Sequence, residues 1–292
     1  MTDTTTTELR GDLRTPRNGA QGIKGSIHDD ATAQKLGLRG GTVAGSVHLD
    51  VLVPLALELF GPRWFETGSV SMAFKNATVD AEPVRGIAAR PTGGSDQHVA
   101  ARIEREDGLL VAEGTLGIGS PAQPSALRAL DHNRFANGEL RILDGVRAGD
   151  AIPPKEITID GERQERLVAT DGIVDPLDWY AGESPWGGPV ASMQTAVHHL
   201  YTFAANHIGS QTVSTRGGGV GLFGCIEVAH LAGPLFLDRT YSMAGVVLGV
   251  GQSPKTEYVW FETTATDDTG AAVASMVMQL RWMKASSPLY AS

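Results

Sequence analysis

The chain has 292 residues, 41% of them apolar and 20% charged, with a formal net charge of -9. Its length exceeds one ordinary domain and is enough to bury two sizeable cores, while Lys and Arg scattered along an acidic chain form no basic stripe, so no nucleic-acid partner is expected. A single cysteine, Cys225, excludes internal disulfides and any multi-cysteine metal site and agrees with a reducing compartment.

Met1 to Asn18 is Thr-rich and polar, without the apolar core of a signal peptide. The longest apolar run, Val51 to Phe60, is interrupted by Pro54 and Glu58, so no membrane span is expected and a cytoplasmic location follows. Gly40-Gly41-Thr42-Val43-Ala44 leads into a segment with Ala44, Val47, Val51, Leu55 and Leu59 on one helical face, which predicts a long helix starting near Val43. A strand over Val70 to Thr78 follows, then the turn Ala81-Glu82-Pro83-Val84. Strands over Val99 to Glu106 and Leu109 to Ile118 flank Asp107-Gly108, a two-residue hairpin signal. Ser120 to Asp160, rich in Pro, Gly and charge, reads as a linker with a short helix near Leu127.

The same order then returns. Gly187-Gly188-Pro189-Val190-Ala191 precedes a helix predicted from near Pro189, with Val190, Met193, Val197, Leu200, Tyr201 and Ala204 on its apolar face. Arg216-Gly217-Gly218-Gly219-Val220-Gly221 is glycine-rich but lacks the strand-turn-helix setting of a phosphate cradle, and reads as a loop. A strand over Cys225 to Leu231 leads to Ala232-Gly233-Pro234-Leu235, and strands over Tyr258 to Thr266 and Ala271 to Trp282 flank Asp267 to Gly270. A repeat of this length indicates duplication of a whole domain. The expected architecture is α+β, a tandem (double) hotdog with a unit at 1–120, a linker at 121–164 and a unit at 165–292. Each unit wraps a long central helix in an antiparallel sheet, and the sheets join side by side.

Ser26-Ile27-His28-Asp29-Asp30-Ala31-Thr32-Ala33, with Gly37 and Gly40 to Gly45, resembles the MaoC-like hydratase segment that opens the hotdog helix, and Gly68 to Gly86 resembles that family's following strand passage. The resemblance implies acid-base addition or elimination of water on an acyl thioester. Such chemistry needs an imidazole and a carboxylate near one water, with a helix N-terminus polarising the carbonyl. His28 fills the family's histidine slot, but Ile23 stands where the family has its Asp. Gly45-Ser46-Val47-His48-Leu49-Asp50 is similar to the helix passage of hydroxydecanoyl-carrier-protein dehydratases, which would make Asp50 the catalytic acid, although Leu36 occupies that family's histidine position.

Simpler readings stand beside these. His28 can cap a turn and Asp29 or Asp30 can cap a helix, while His48 and Asp50 flank an apolar stripe and can face solvent or a domain interface. In the second half, Glu183-Ser184-Pro185-Trp186 replaces the histidine slot, and Asp178 and Glu183 are candidate acids or bases. His198 and His199 point about 100° apart on a helix, poor geometry for a metal, and Glu227 with His230, on a strand expected to face the helix, form a further candidate pair. Gly45, Ser46 and Ser192 at the helix starts, Trp186 as a wall and Glu227 are candidate substrate-binding residues. No metal and no cofactor are expected. The expected activity is that of a hydratase or dehydratase. The alternatives are a hotdog thioesterase, a non-catalytic acyl-binding protein, or a lyase, isomerase or cyclase on a substrate without CoA. The partner expected is a small molecule, a CoA thioester in the simplest case, and a homo-oligomer stays open. For a CoA diphosphate only Lys75, Arg85, Arg90 and Arg39 come into question.

Overall fold

The computed structural model describes residues 7–134, 138–211 and 219–291. Its strands are β1 (Glu8–Arg10), β2 (Gly68–Phe74), β3 (Val84–Ala89), β4 (Gln97–Arg105), β5 (Leu110–Ile118), β6 (Ala151–Thr158), β7 (Gly221–His230), β8 (Thr240–Gln252), β9 (Thr256–Thr266) and β10 (Ala272–Met283). All pair antiparallel in one sheet of order β1-β3-β4-β5-β2-β7-β10-β9-β8-β6. Replacing β2, β5, β4, β3 and β1 by β7, β10, β9, β8 and β6 turns one half of that order into the other. The two units therefore meet at β2 and β7, whose ladder runs from Ser69 opposite Ala229 to Ala73 opposite Cys225. The fold is a tandem hotdog of the α+β class. Both expected hairpins are present, and Gly108 supplies the left-handed φ of +85° that the tight β4–β5 turn requires.

The helices depart from their expected symmetry. The second half carries one 19-residue helix, α6 (Met193–Gln211), whereas the first carries α2 (Gly45–Asp50) and α3 (Val53–Phe60), after a short α1 (Asp30–Lys35). Pro54 explains the break: it has no N–H to donate to the carbonyl of Asp50, and its ring crowds that same carbonyl. Both helices start later than expected, at Gly45 and Met193. Their inward residues are as expected, since Val47, Val51, Leu55, Val197 and Leu200 are all buried, at about 1.5–3 kcal/mol each.

On β7, Ile226 and Val228 face the helices, whereas Cys225 joins Leu127, Tyr258, Trp260 and Val277 in a separate apolar cluster on the outer face. Residues 120–134 cover that face. Leu127 lies in a turn rather than the expected short helix, and the stretch read as linker also supplies β6, which pairs with β8 at the edge of the second unit's sheet. Two further helices matter for the site, α4 (Trp64–Thr67) and α5 (Gly161–Ala169). Of the glycine-rich run at 216–221, residues 216–218 lie outside the described residues, and Gly221 opens β7.

Candidate active site

Backbone hydrogen bonds set the correspondence between the halves. Thr42 N–H donates to the Ile27 carbonyl and Val43 N–H to that of Thr78, just as Val190 N–H donates to Trp179 and Ala191 N–H to Leu235. The helix starts are thus related by 193 − 45 = 148 positions, one more than the alignment of the glycine pairs implies. The same bonds match Leu235 to Thr78, so Pro234 corresponds to Ala77 and not to Pro83. His28, after Ile27, corresponds to Tyr180, after Trp179. At the seam the middle pair of the ladder is Ser71 opposite Glu227, an offset of 156. That offset carries Phe74 to His230, and Trp64 and Phe65 to Val220 and Gly221. Two equivalent positions for a site result, one at each helix start.

The position at α2 is open. A cavity of about 550 Å³ lies at the seam, walled by Ile27, His28, Thr42 to Gly45 and Phe74 to Ala77 from the first half, and by Tyr201 and the start of β7 from the second. The half-buried His28 ring places Nδ1 2.6 Å from the Thr42 carbonyl oxygen. A carbonyl only accepts, so Nδ1 carries the proton and Nε2 keeps its lone pair. Two glycines make this arrangement possible. A Cβ on Gly41 would overlap the His28 carbonyl oxygen, and one on Gly45 would come within 2.6 Å of the Phe74 ring. The first turn of α2 therefore meets the cavity with bare backbone; the Gly45 and Ser46 N–H groups have no partner earlier in the helix, whereas that of Val47 donates to the Ala44 carbonyl at 3.0 Å. Among the described residues no Asp or Glu lines the cavity, and the Lys there, Lys75, is ion-paired with Glu113 at 3.0 Å.

The position at α6 is filled with aromatic rings. Trp179 stands where the open site has Ile27, and Trp64 and Phe65 stand in place of Val220 and Gly221. Trp186 joins them, with Phe65 5.6 Å from Trp186 and 5.3 Å from His230, and Trp179 5.4 Å from Trp186, centroid to centroid. Trp186 Nε1–H donates to Glu66 Oε1 at 2.9 Å, holding the plug shut from outside. Asp50 lies on this side. It is 1% exposed, and its Oδ1 accepts weakly, at 3.4 Å, from the N–H of Gln194 in the first turn of α6. Asp50 Oδ2, the Tyr180 hydroxyl and both His230 ring nitrogens are buried without a hydrogen-bond partner among the described residues. Burial raises the Asp50 carboxyl to about 7 and lowers His230 to about 4, so both favour their neutral forms.

The residues singled out from the sequence are thereby divided. His28 and Gly45 line the open cavity, whereas Asp50 belongs to the closed position, so the pair His28 and Asp50 is not brought together. His48 is buried in α2 with Nε2 2.8 Å from Thr78 Oγ1, and burial lowers it to about 4; it ties the helix to the turn after β2. Ser46 is buried beside Gly45 but outside the cavity lining, and Ser192 caps α6 by accepting from Thr195 N–H at 3.1 Å. Asp178 and Glu183 are exposed, Glu183 accepting from Gly188 N–H at 3.0 Å, and neither lines the cavity at His28. Trp186 walls the closed position rather than the open one. Glu227 points away from the helices, where it accepts from Ser125 and pairs with Arg128 Nε at 2.6 Å; it clamps the covering segment to the sheet. His199 accepts from Asp160 N–H at 3.0 Å and donates to the Thr195 carbonyl, with both ring nitrogens engaged. Asp29 caps α1, accepting from Thr32 N–H at 3.1 Å. Tyr201, Phe74 and Asn76 escaped sequence reasoning because no motif marks them; only the meeting of β2 and α6 puts them in one cavity.

No family model matches the sequence, and no curated protein matches it. Solved structures do. A protein from Chloroflexus aurantiacus described as a MaoC domain dehydratase is 12% identical, with 94% of each chain covered and a TM-score of 0.62. A Mycobacterium tuberculosis protein described as having a double hotdog fold is 13% identical over 95% of each chain, at a TM-score of 0.54. A MaoC-like dehydratase is 14% identical, with 94% of this chain and 98% of that one covered, at 0.53. At such identities the likeness establishes the double hotdog fold across nearly the whole chain. Among the described residues no helix is long and apolar enough to cross a membrane.

Proposed function

We propose that this chain is a hotdog hydro-lyase that adds water to, or eliminates it from, an acyl compound, with His28 as its single acid-base group. One observation carries the reading: the His28 ring is oriented by the Thr42 carbonyl with Nε2 as the basic nitrogen, on the wall of the open cavity beside the start of α2. In the elimination direction Nε2 takes the proton from the carbon next to the carbonyl. First-turn N–H groups of α2 hold the developing enolate oxygen. The C–O bond at the β carbon then breaks, its electron pair leaves with the hydroxyl, and the imidazolium returns the proton to that oxygen, giving water, an enoyl product and neutral His28. One base serving both proton transfers fits a lining without a carboxylate. A thioesterase driven by a helix carboxylate finds less support, because Asp50 is enclosed at the other position.

The charge distribution favours a second reading of the substrate, one without CoA. Lys75 pairs with Glu113, Arg39 with Glu82 and Arg90 with Glu58, and Arg85 lies outside the cavity, so among the described residues no unpaired cation waits there for a diphosphate. The test is to offer crotonyl-CoA, its N-acetylcysteamine thioester and free crotonate, and to follow loss of the conjugated double bond by absorbance. Turnover that disappears in His28→Gln is the expected result, with the short thioester at least as good as the CoA ester if the second reading holds. Normal turnover in His28→Gln would end the assignment.

A further inference from the structure

A cavity larger than the one at His28 lies elsewhere on the molecule. A space of about 800 Å³ lies on the opposite, outer face of the sheet, between β9, β10 and the covering segment. Its floor is aromatic: Trp260 and Tyr258 project outward from β9, and the His132 ring lies 4.7 Å from that of Trp260, tilted by 40°. The roof is held in place. His132 Nε2 donates to the Leu127 carbonyl at 3.1 Å, Asn133 Nδ2 donates to that of Leu248 at 3.2 Å, and the clamp of Glu227 on Ser125 and Arg128 fixes the start of the segment. The cavity is therefore built into the fold.

Its polar groups converge on one chemistry. Gln279 is 4% exposed, and its Oε1 accepts from Arg281 Nε at 2.6 Å, which aims the guanidinium along the wall. Arg281 has no carboxylate partner among the described residues, although both Cys225 and Tyr258 feel its charge. Of the cationic side chains in the lining, Lys75 is ion-paired with Glu113 at 3.0 Å, whereas the charge of Arg281 is not compensated by a carboxylate among the described residues. Guanidinium N–H donors in a lining shared with Trp260 and Tyr258, which are 5% and 6% exposed, suit a flat ring bearing a carboxylate, which packs against the exposed part of those rings while its oxygens meet Arg281.

We propose that this outer cavity is a second small-molecule site, specific for a planar aromatic carboxylate and separate from the reaction at His28. Calorimetric titration with 2-naphthoate tests it, with naphthalene-2-carboxamide as the uncharged match. Naphthoate should bind with a Kd at or below the millimolar range, the amide at least tenfold more weakly, and Arg281→Gln should weaken naphthoate by about tenfold or more while leaving the amide unchanged. Trp260→Leu should weaken both ligands. If circular dichroism shows Arg281→Gln unfolded, Arg281→Lys decides instead, since it keeps the charge but not the fork and should still lose several-fold. Absence of naphthoate binding up to about 10 mM, or binding indifferent to both Arg281 and Trp260, would overturn the proposal. Every readout is an affinity, so the result stands whether or not His28 turns over any substrate.

Discussion

The two halves share a strand order and a helix start, yet they treat the space between helix and sheet in opposite ways. At α2 the neighbours are small or aliphatic, Ile27, Val220 and Gly221, and a cavity remains with a histidine on its wall. At α6 the corresponding places hold Trp179, Trp64 and Phe65, with Trp186 added, and the cavity is gone. Duplication thus gave two equivalent scaffolds, and side-chain volume decided which could admit a ligand. Aromatic rings bury large areas, so the plugged half gains packing where the open half forgoes it.

The sharpest way to break this comparison is to exchange roles at the matched positions His28 and Tyr180. His28→Gln should lower kcat by about 10²–10⁴-fold with little change in melting temperature, while Tyr180→Phe should leave kcat within about twofold. Equal losses in both would show that the closed position takes part in turnover.

A second contrast lies at the seam, where Ser71 and Glu227 are the paired residues. Glu227→Ala removes the acceptor shared by Ser125 and Arg128, and since Arg128 keeps its pair with Glu262 at 2.7 Å the change should cost about 1.5–3 kcal/mol in urea denaturation. Ser71→Ala removes only the bond its Oγ accepts from Leu127 N–H at 3.2 Å and should cost about 0.5–1.5 kcal/mol. Similar costs for the two would mean that the covering segment is not clamped through Glu227.

The closed position also leaves a signature in pH. Asp50, whose carboxyl is raised from 3.8 to about 7, holds its proton in the folded state where the unfolded chain has lost it. Its contribution to stability is therefore fully present below about pH 4 and is lost as pH rises toward 7 and beyond. Buried His48 and His230 and half-buried His198, each lowered to about 4, act in the opposite sense, costing stability as pH falls from 6.5 toward 4. The difference between wild type and Asp50→Asn isolates the carboxylate: the variant should gain stability relative to wild type as pH rises from 4 to 8, by up to on the order of 3–4 kcal/mol. A difference flat across that range would place Asp50 in solvent.

The smallest expected effect concerns the plug. Trp186→Phe keeps an aromatic ring, though a smaller one, but loses the hydrogen bond to Glu66, and should cost about 0.5–1.5 kcal/mol without changing kcat at His28. A change in kcat would couple the two positions.

Much of this was legible in the chain itself. The 3.6 and 2 periodicities, the Asp107-Gly108 turn and the repeated order of elements act locally, and they yielded the tandem hotdog, its antiparallel strands and the buried faces of its helices. Pro54 carried enough information to break the first helix, because a missing N–H is a property of one residue. His28 and Gly45 were found from a local pattern and do sit on the open cavity. What the chain alone could not specify is which side chains share a space. His28 and Asp50 are 22 positions apart and belong to different positions of the seam, because Asp50 projects toward the start of α6. Glu227 reads as a partner for His230 at a spacing of three, yet alternation along β7 sends them to opposite faces, one into the clamp and the other into the plug. Whether a site is open depends on the summed volume of Trp64, Phe65, Trp179 and Trp186, residues brought together from up to 122 positions apart, and only the packed tertiary structure performs that sum.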